Sequence, residues 1–280
     1  MNEISLCRAN SALLDSVYAL WRETFADSDA WLDFFFAHHP IEQTLVAVQG
    51  EQVVSMLTML PCAYKSVAGT RPACYLYAIA TAESHRGQGL AARLIETAAA
   101  EQAALGTELL IVAPAHFSLF FYYADKGFTD YFFVSEQLYH AQELPEFAGE
   151  TAPLSADVLF RLRERILSDF VSWDKEAVSF AIKAAQRAGG GALHIKIIGG
   201  EAAALYTVDG DTAFINELIL NGCMEEEAVS AVHRAVGAAR YIVRTNGYNE
   251  EDPMPFAQVR VLAGAPALAF NPPYLGLTLD

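Results

Sequence analysis

Basic residues are scarce: 18 Lys and Arg face 34 Asp and Glu, a formal net charge of −16 over 280 residues. That balance argues against a nucleic-acid partner, whose phosphates need a basic footprint. It is compatible with a cationic amine, because a negative field raises the local concentration of cations. Solubility alone also accounts for an acidic chain. Cysteine is equally sparse. Cys7, Cys62, Cys74 and Cys223 form no CxxC pair, so buried reduced thiols are expected rather than a disulfide framework. No His and Cys cluster has zinc-ligand spacing, and His38-His39 before Pro40 reads as a helix end or turn. Apolar runs all fall short of the roughly 18 residues that span a bilayer. The start, Met1-Asn2-Glu3-Ile4, lacks the basic and apolar regions of a signal peptide. A cytoplasmic protein with no membrane partner is the expectation, and association into a homo-oligomer stays open.

What is present is a large apolar fraction, 53%, with 19% charged residues, enough for a sizeable core. Residues 4–8 alternate as a short strand. Ser11 is placed as the N-cap of a helix running to Phe25, with Leu14, Tyr18 and Trp21 on one face. Asp29 is placed as the cap of an aromatic-rich helix over residues 31–37, stopped at Pro40. Two apolar runs, 44–48 and 52–60, flank Gln49-Gly50-Glu51, the signature of a hairpin turn. A strand over 73–81, an alanine-rich helix over 89–105 closed by Gly106, a buried strand over 109–113, a helix over 116–126 and a strand or hairpin over 128–140 follow. Residues 145–153 are the candidate linker. Beyond it come helices at 156–167 and 175–188, and then the order of the first half returns: strands at 192–198, 202–208 and 213–220, a helix at 225–238 and a strand at 241–245. This predicts domains 1–143 and 150–280 related by a weak internal repeat. The final stretch, 271–280, alternates like a strand running to Asp280.

The informative segment runs from Tyr77 through Thr81 into Glu83-Ser84-His85-Arg86-Gly87-Gln88-Gly89-Leu90-Ala91. A strand enters a glycine-bearing turn and leaves directly as a helix. A helix start carries free N–H groups and the positive end of the macrodipole. Gly87 and Gly89 remove the side chains that would keep an anion at a distance, and Arg86 adds a cation. The P-loop pattern GxxxxGK(S/T) is absent, and a dinucleotide GxGxxG would need a third glycine near Arg93.

Arg86-x-x-Gly89-x-Ala91 resembles the Q/R-x-x-G-x-G/A motif of the GNAT N-acetyltransferase superfamily. The run from Ile79 to Ala91 is similar to that family's VAT-x-PEYRGKGLG form, with Glu83 in place of the common proline. Pro114-Ala115-His116-Phe117-Ser118-Leu119-Phe120-Phe121-Tyr122-Tyr123-Ala124-Asp125-Lys126-Gly127-Phe128 is similar to its PA-x-x-SL-x-x-FYEKLGF hallmark. The resemblance covers about residues 4–140. It implies an α/β (α+β) GNAT fold, a mixed and mostly antiparallel sheet flanked by helices, in two tandem copies with the second degenerate. It implies acetyl-CoA as cosubstrate, its pyrophosphate on the amides from Arg86 to Ala91, and its pantetheine paired with the main chains of Ile79 and Thr81. It further implies that a primary amine of a small molecule or a protein attacks the thioester directly, with Tyr123 protonating the departing thiolate. A tyrosine is protonated at neutral pH and suits that role. The base that deprotonates the amine is open among Tyr75, Tyr77, His116, Glu136, the Asp280 carboxylates and water. An acetyl-CoA-binding regulatory module without turnover is the runner-up, and a purely structural α/β protein the third reading.

Overall fold

The structure, a computed structural model, describes residues 3–278. In chain order its elements are β1 (Ile4–Arg8), α1 (Leu14–Phe25), α2 (Asp29–His38), β2 (Thr44–Gln49), β3 (Gln52–Ser66), β4 (Gly69–Thr81), α3 (Leu90–Ala104), β5 (Leu109–Val112), α4 (Phe117–Ala124) and β6 (Thr129–His140). There follow β7 (Glu150–Pro153), α5 (Ala156–Ile166), β8 (Phe170–Ser172), α6 (Lys175–Arg187), β9 (Gly191–Ile197), β10 (Gly200–Asp209), β11 (Thr212–Asn221), α7 (Glu225–Val236), β12 (Arg240–Asn246) and β13 (Pro255–Val261). The fold is mixed α/β, a mostly antiparallel sheet flanked by helices.

Two compact units interleave along the chain. The first holds Met1–Cys62, Arg71–Thr129 and Gln258–Leu268; the second holds Ala63–Thr70, Asp130–Ala257 and Ala269–Asp280. These differ from the expected division into 1–143 and 150–280, because residues 130–143 and 258–268 each pack with the other half's elements.

In the first unit the strand order is β1-β2-β3-β4-β5-β13. Pairs β1–β2, β2–β3 and β5–β13 are antiparallel, while β4–β5 is parallel. A parallel pair needs a crossover, and α3 supplies it. Alanine-rich α3 is a strong helix former. It buries Leu90, Leu94, Ile95, Ala98 and Ala99 at helical spacing, with Leu94, Ile95, Ala98 and Ala99 packing into a cluster with Leu45, Leu57, Leu76, Leu110, Val112 and Phe128. Truncating a core leucine such as Leu94 to alanine costs about 2–5 kcal/mol.

The second unit repeats the pairing. Strand β9 pairs antiparallel with β7, β10 with β9 and β11 with β10; β11–β12 is parallel and β12–β6 antiparallel. Helix α7 crosses over between the parallel strands and buries Ala228, Val229, Ala231 and Val232 against Ala202, Ala204, Ile215, Tyr241 and Val243.

Several boundaries differ from the sequence expectation. Asn10, not Ser11, caps the first helical stretch by accepting from the Ala12 amide at 2.9 Å, leaving residues 11–13 as a 3₁₀ turn before α1. Ser28, not Asp29, caps α2 by accepting from Trp31. In both places adjacent polar residues compete and the one with extended backbone wins. The expected linker ends in a strand, since residues 150–153 pair with β9. The expected terminal strand is absent: residues 271–278 make only an isolated bridge, Tyr274 with Phe170. Gly276 and Leu277 adopt positive φ of 50° and 53°, two successive left-handed residues that turn the chain out of the extended region. Asp280 lies outside the described residues.

Candidate active site

Strand β4 outruns its parallel neighbour. The ladder pairs Ala73 with Leu109 and ends at Leu76 with Val112, so residues 77–81 continue past the end of β5. At Ala78 the backbone swings to φ 50°, a left-handed kink inside a strand. Such conformations cost of order 1–3 kcal/mol and need support from their surroundings. On the opposite side β3 holds the strand end: Ser55 Oγ donates to the Ala80 carbonyl at 2.8 Å and contacts Thr81 Oγ1 at 2.8 Å, and the Ala82 amide donates to Val54 O at 3.0 Å. Ile79 packs partly buried against the first unit's core.

The turn that follows is pinned on its flanks and open at its centre. His85 Nδ1 meets Ser84 Oγ at 2.8 Å and its Nε2 meets Gln49 Oε1 at 3.0 Å. The Glu83 amide donates to Glu23 Oε1 on α1 at 3.3 Å. Arg86 is exposed, with Nε donating to the Thr81 carbonyl at 3.3 Å. Gly87 and Gly89 sit at φ 77° and 71°, and a Cβ built on either meets nothing within 4 Å. Leu90 is buried and seats the first turn of α3; Gln88 is exposed and Ala91 half-buried. Among the described residues no side chain caps α3, and its first turn holds no acidic residue. Its leading N–H groups therefore face open space at the positive end of the helix, an anion-binding arrangement. The two glycines leave the amides of this turn uncovered, and Arg86 adds a cation beside them.

The other helix start of like position is built differently. Helix α7 opens with Glu225, Glu226 and Glu227, and Glu227 folds back to accept from the Met224 amide at 2.9 Å. Gly222 packs its Cα against Gly199 and Gly200, so a Cβ there would meet the Gly199 carbonyl at 2.8 Å.

Tyr123 lies on α4, 6% exposed, its ring centroid 5.8 Å from Phe128 and 5.2 Å from Tyr122. Burial, and secondarily Tyr122, push its phenol well above the usual tyrosine range. Among the described residues its hydroxyl has no hydrogen-bond partner, so it keeps a proton through the neutral range and holds it free to donate. Tyr122 carries Lys126 over its ring at 4.7 Å.

Tyr75 and Tyr77 stack on one strand face at 6.4 Å. His116 is exposed at the start of α4. Glu136 belongs to the second unit, where it accepts from Arg244 Nε at 3.2 Å. Sequence reasoning did not single out an aromatic wall beside Tyr77. Trp21 on α1 and Phe35 on α2 lie 5.9 and 5.5 Å from the Tyr77 ring, and Trp21 Nε1 donates to Asp27 Oδ2 at 2.8 Å. The density of aromatics over residues 31–36 was its only signal. On the same two helices burial first, then Asp33, Asp29 and Asp15, push the Tyr18 phenol up to about 12, and Asp29 is itself paired with Arg22 at 2.6 Å.

A family model described as "Acetyltransferase (GNAT) domain" matches residues 6–129. No curated protein matches the sequence. Solved structures of similar fold include a GCN5-related N-acetyltransferase from Kribbella flavida, 15% identical over 93% of this chain and 71% of that one, with a TM-score of 0.69. A protein of unknown function from Enterococcus faecalis V583, described as a probable N-acyltransferase, is 13% identical over 94% and 73%, with a TM-score of 0.74. Eis1 from Mycobacterium abscessus is 9% identical over 92% and 73%, with a TM-score of 0.66.

Proposed function

We propose that this chain, whose residues 6–129 form a GNAT acetyltransferase domain, moves the acetyl group of acetyl-CoA onto a primary amine of a small molecule or a protein. The enzyme is an N-acetyltransferase and acetyl-CoA its cosubstrate; the acceptor and the residue roles are our reading. The observation that carries it is the uncapped start of α3, with Gly87 and Gly89 at positive φ opening onto free space.

In this reading the amides of residues 86–91 and the α3 dipole hold the pyrophosphate. The main chains of Ile79 and Thr81, on the part of β4 that outruns β5, pair with the pantetheine arm. When bound, acetyl-CoA would supply a thioester whose carbonyl carbon a neutral amine attacks, the C–S bond breaking as the C–N bond forms and the nitrogen giving its surplus proton to water. Tyr123 holds a proton at Oη for the sulfur that departs; its raised pKa keeps that proton in place across the neutral range. The acidic residues around α1 and α2 draw a cationic acceptor toward the Trp21–Phe35–Tyr77 wall. The second unit, with the same pairing order, reads as a tandem copy whose helix start has turned from anion cradle to self-capped end.

Thiol release from acetyl-CoA, followed against a panel of primary amines, tests the proposal. Amine-dependent release in the parent, lost at least tenfold in Tyr123→Phe with acetyl-CoA affinity kept, supports it. Equal rates in parent and variant remove Tyr123 from the chemistry.

A further inference from the structure

In the second unit, two buried charges hold a stretch of chain that has no secondary structure of its own. Arg163 on α5 and Glu217 on β11 are 2% and 1% exposed and form an ion pair. Burying such a pair costs several kcal/mol of desolvation per ion, and apolar side chains of equal volume stabilise a core as well or better. What the pair does beyond pairing is hold residues 274–276. Arg163 Nη2 donates to the Val171 carbonyl at 2.8 Å and to the Leu275 carbonyl at 3.4 Å. The second Glu217 oxygen accepts from the Tyr274 hydroxyl at 2.6 Å. Burial, then Glu217, drive the Tyr274 phenol far above its ordinary range, so it donates and does not ionise.

The rest of residues 269–278 is held in the same manner. Tyr131 Oη donates to Ala269 O at 2.8 Å, Asn271 Nδ2 to Asp169 Oδ2 at 2.6 Å, the Tyr274 amide to Asp169 O at 2.8 Å, the Val171 amide to Tyr274 O at 2.9 Å, and Trp173 Nε1 to Gly276 O at 3.3 Å. Tyr274, Leu275 and Leu277 are buried. Gly276 is required: φ is 50°, and a Cβ would overlap Glu217 Oε2, the Tyr274 ring and Arg163 Nη1.

The register shows which place this segment occupies. The parallel ladder of β4 ends at Leu76 and that of β11 at Ile215. Counting on, Asn216 stands at the position of Tyr77 and Glu217 at that of Ala78. Strand β11 is irregular at the same step, its register with β10 shifting between Leu205 and Tyr206. Glu217 thus holds, in the second unit, the kinked position that precedes Ile79 in the first.

We propose that the second unit's counterpart of the β4 strand end, around Glu217, is a peptide-binding site, and that its occupant is residues 269–278 of the same chain, recognised through Tyr274 and Gly276 by the Arg163–Glu217 pair. The assignment of that counterpart rests on the reading of the first unit given above. The binding itself does not, and it is measured without acetyl-CoA, so either can fail alone.

Hydrogen exchange on the full chain is the first test. The Tyr274 amide should be protected in the parent and exchange about tenfold faster or more in Tyr274→Phe, which loses one hydrogen bond to a charged group, while β9, β10 and β11 keep their protection. The second test uses Gly276→Val, whose own segment no longer fits. A labelled synthetic peptide of residues 269–278 should bind this variant saturably and the parent not at all, and the Tyr274→Phe peptide should bind about tenfold weaker or more. An unprotected Tyr274 amide in the parent, or exchange unchanged by Tyr274→Phe, overturns the proposal. So does a folded Gly276→Val chain that ignores the peptide. Should Gly276→Val fail to fold, the exchange comparison alone decides.

Discussion

Replacing Gly89 by valine places a branched side chain at the uncovered start of α3. Gly89 is at φ 71° and a Cβ there meets no atom within 4 Å. The free protein bears at least the left-handed backbone cost, about 1–2 kcal/mol, and more for a β-branched residue. The anion loses more: the branched group blocks at least one charge-assisted N–H bond, worth about 1.5–3 kcal/mol, or roughly 10- to 150-fold in Kd. Gly106 is the matched control, at φ 84° beyond the other end of α3 with equally empty surroundings. Gly106→Val should lower stability by a similar amount and leave CoA binding alone. Calorimetric titration with CoA reads the affinity and denaturant unfolding reads the backbone cost. CoA affinity in Gly89→Val equal to the parent's, or an equal loss in Gly106→Val, refutes the assignment of this helix start.

Tyr123→Phe keeps the ring against Phe128 and removes the proton donor, so kcat should fall at least tenfold with CoA affinity unchanged in the same titration. Because the second unit's helix start is filled by its own glutamates, that titration should return one CoA per chain, and two would contradict it. Tyr123 has a folded pKa raised above its unfolded value, so the stability it confers is complete below about pH 10 and is lost as pH rises further; unfolding followed up an alkaline series should show a shallower decline in Tyr123→Phe. Glu201 runs the other way. Its hydrogen bonds from Arg161 and His194 lower its pKa from 4.5 to about 2, so the stability it confers is present above 4.5 and lost as pH falls toward 2; Glu201→Gln should flatten the acid limb.

Much of this was legible in the residues. The hairpin at Gly50, the alanine-rich α3 and the helices α5, α6 and α7 follow from periodicity and glycine placement, because local pattern and tertiary packing agree there. The glycine turn before α3 was legible for the same reason: two glycines and a helix start are local features. What stayed hidden depends on partners distant in sequence. Strand β13 pairs with β5 across more than a hundred residues and sits behind a turn-rich stretch, and β8 has only three residues. The segment at 271–278 alternates like a strand, but Pro272-Pro273 supplies no amide hydrogens and Gly276 turns left-handed, so side chains from α5 and β11 hold it instead. The kink at Ala78 carries no sequence signal, since alanine is an ordinary strand residue until its neighbours force φ to 50°. The wall of Trp21, Phe35 and Tyr77 exists only once α1, α2 and β4 are packed.

The most direct measurement is the rate of free-thiol release from acetyl-CoA by the purified full chain, with and without each of a set of primary amines. Acetyl transfer through the α3 cradle and Tyr123 predicts release that depends on amine, saturates in both substrates, and nearly vanishes in Tyr123→Phe. CoA binding with no amine-dependent release from any acceptor, or release that survives intact in Tyr123→Phe, would contradict it.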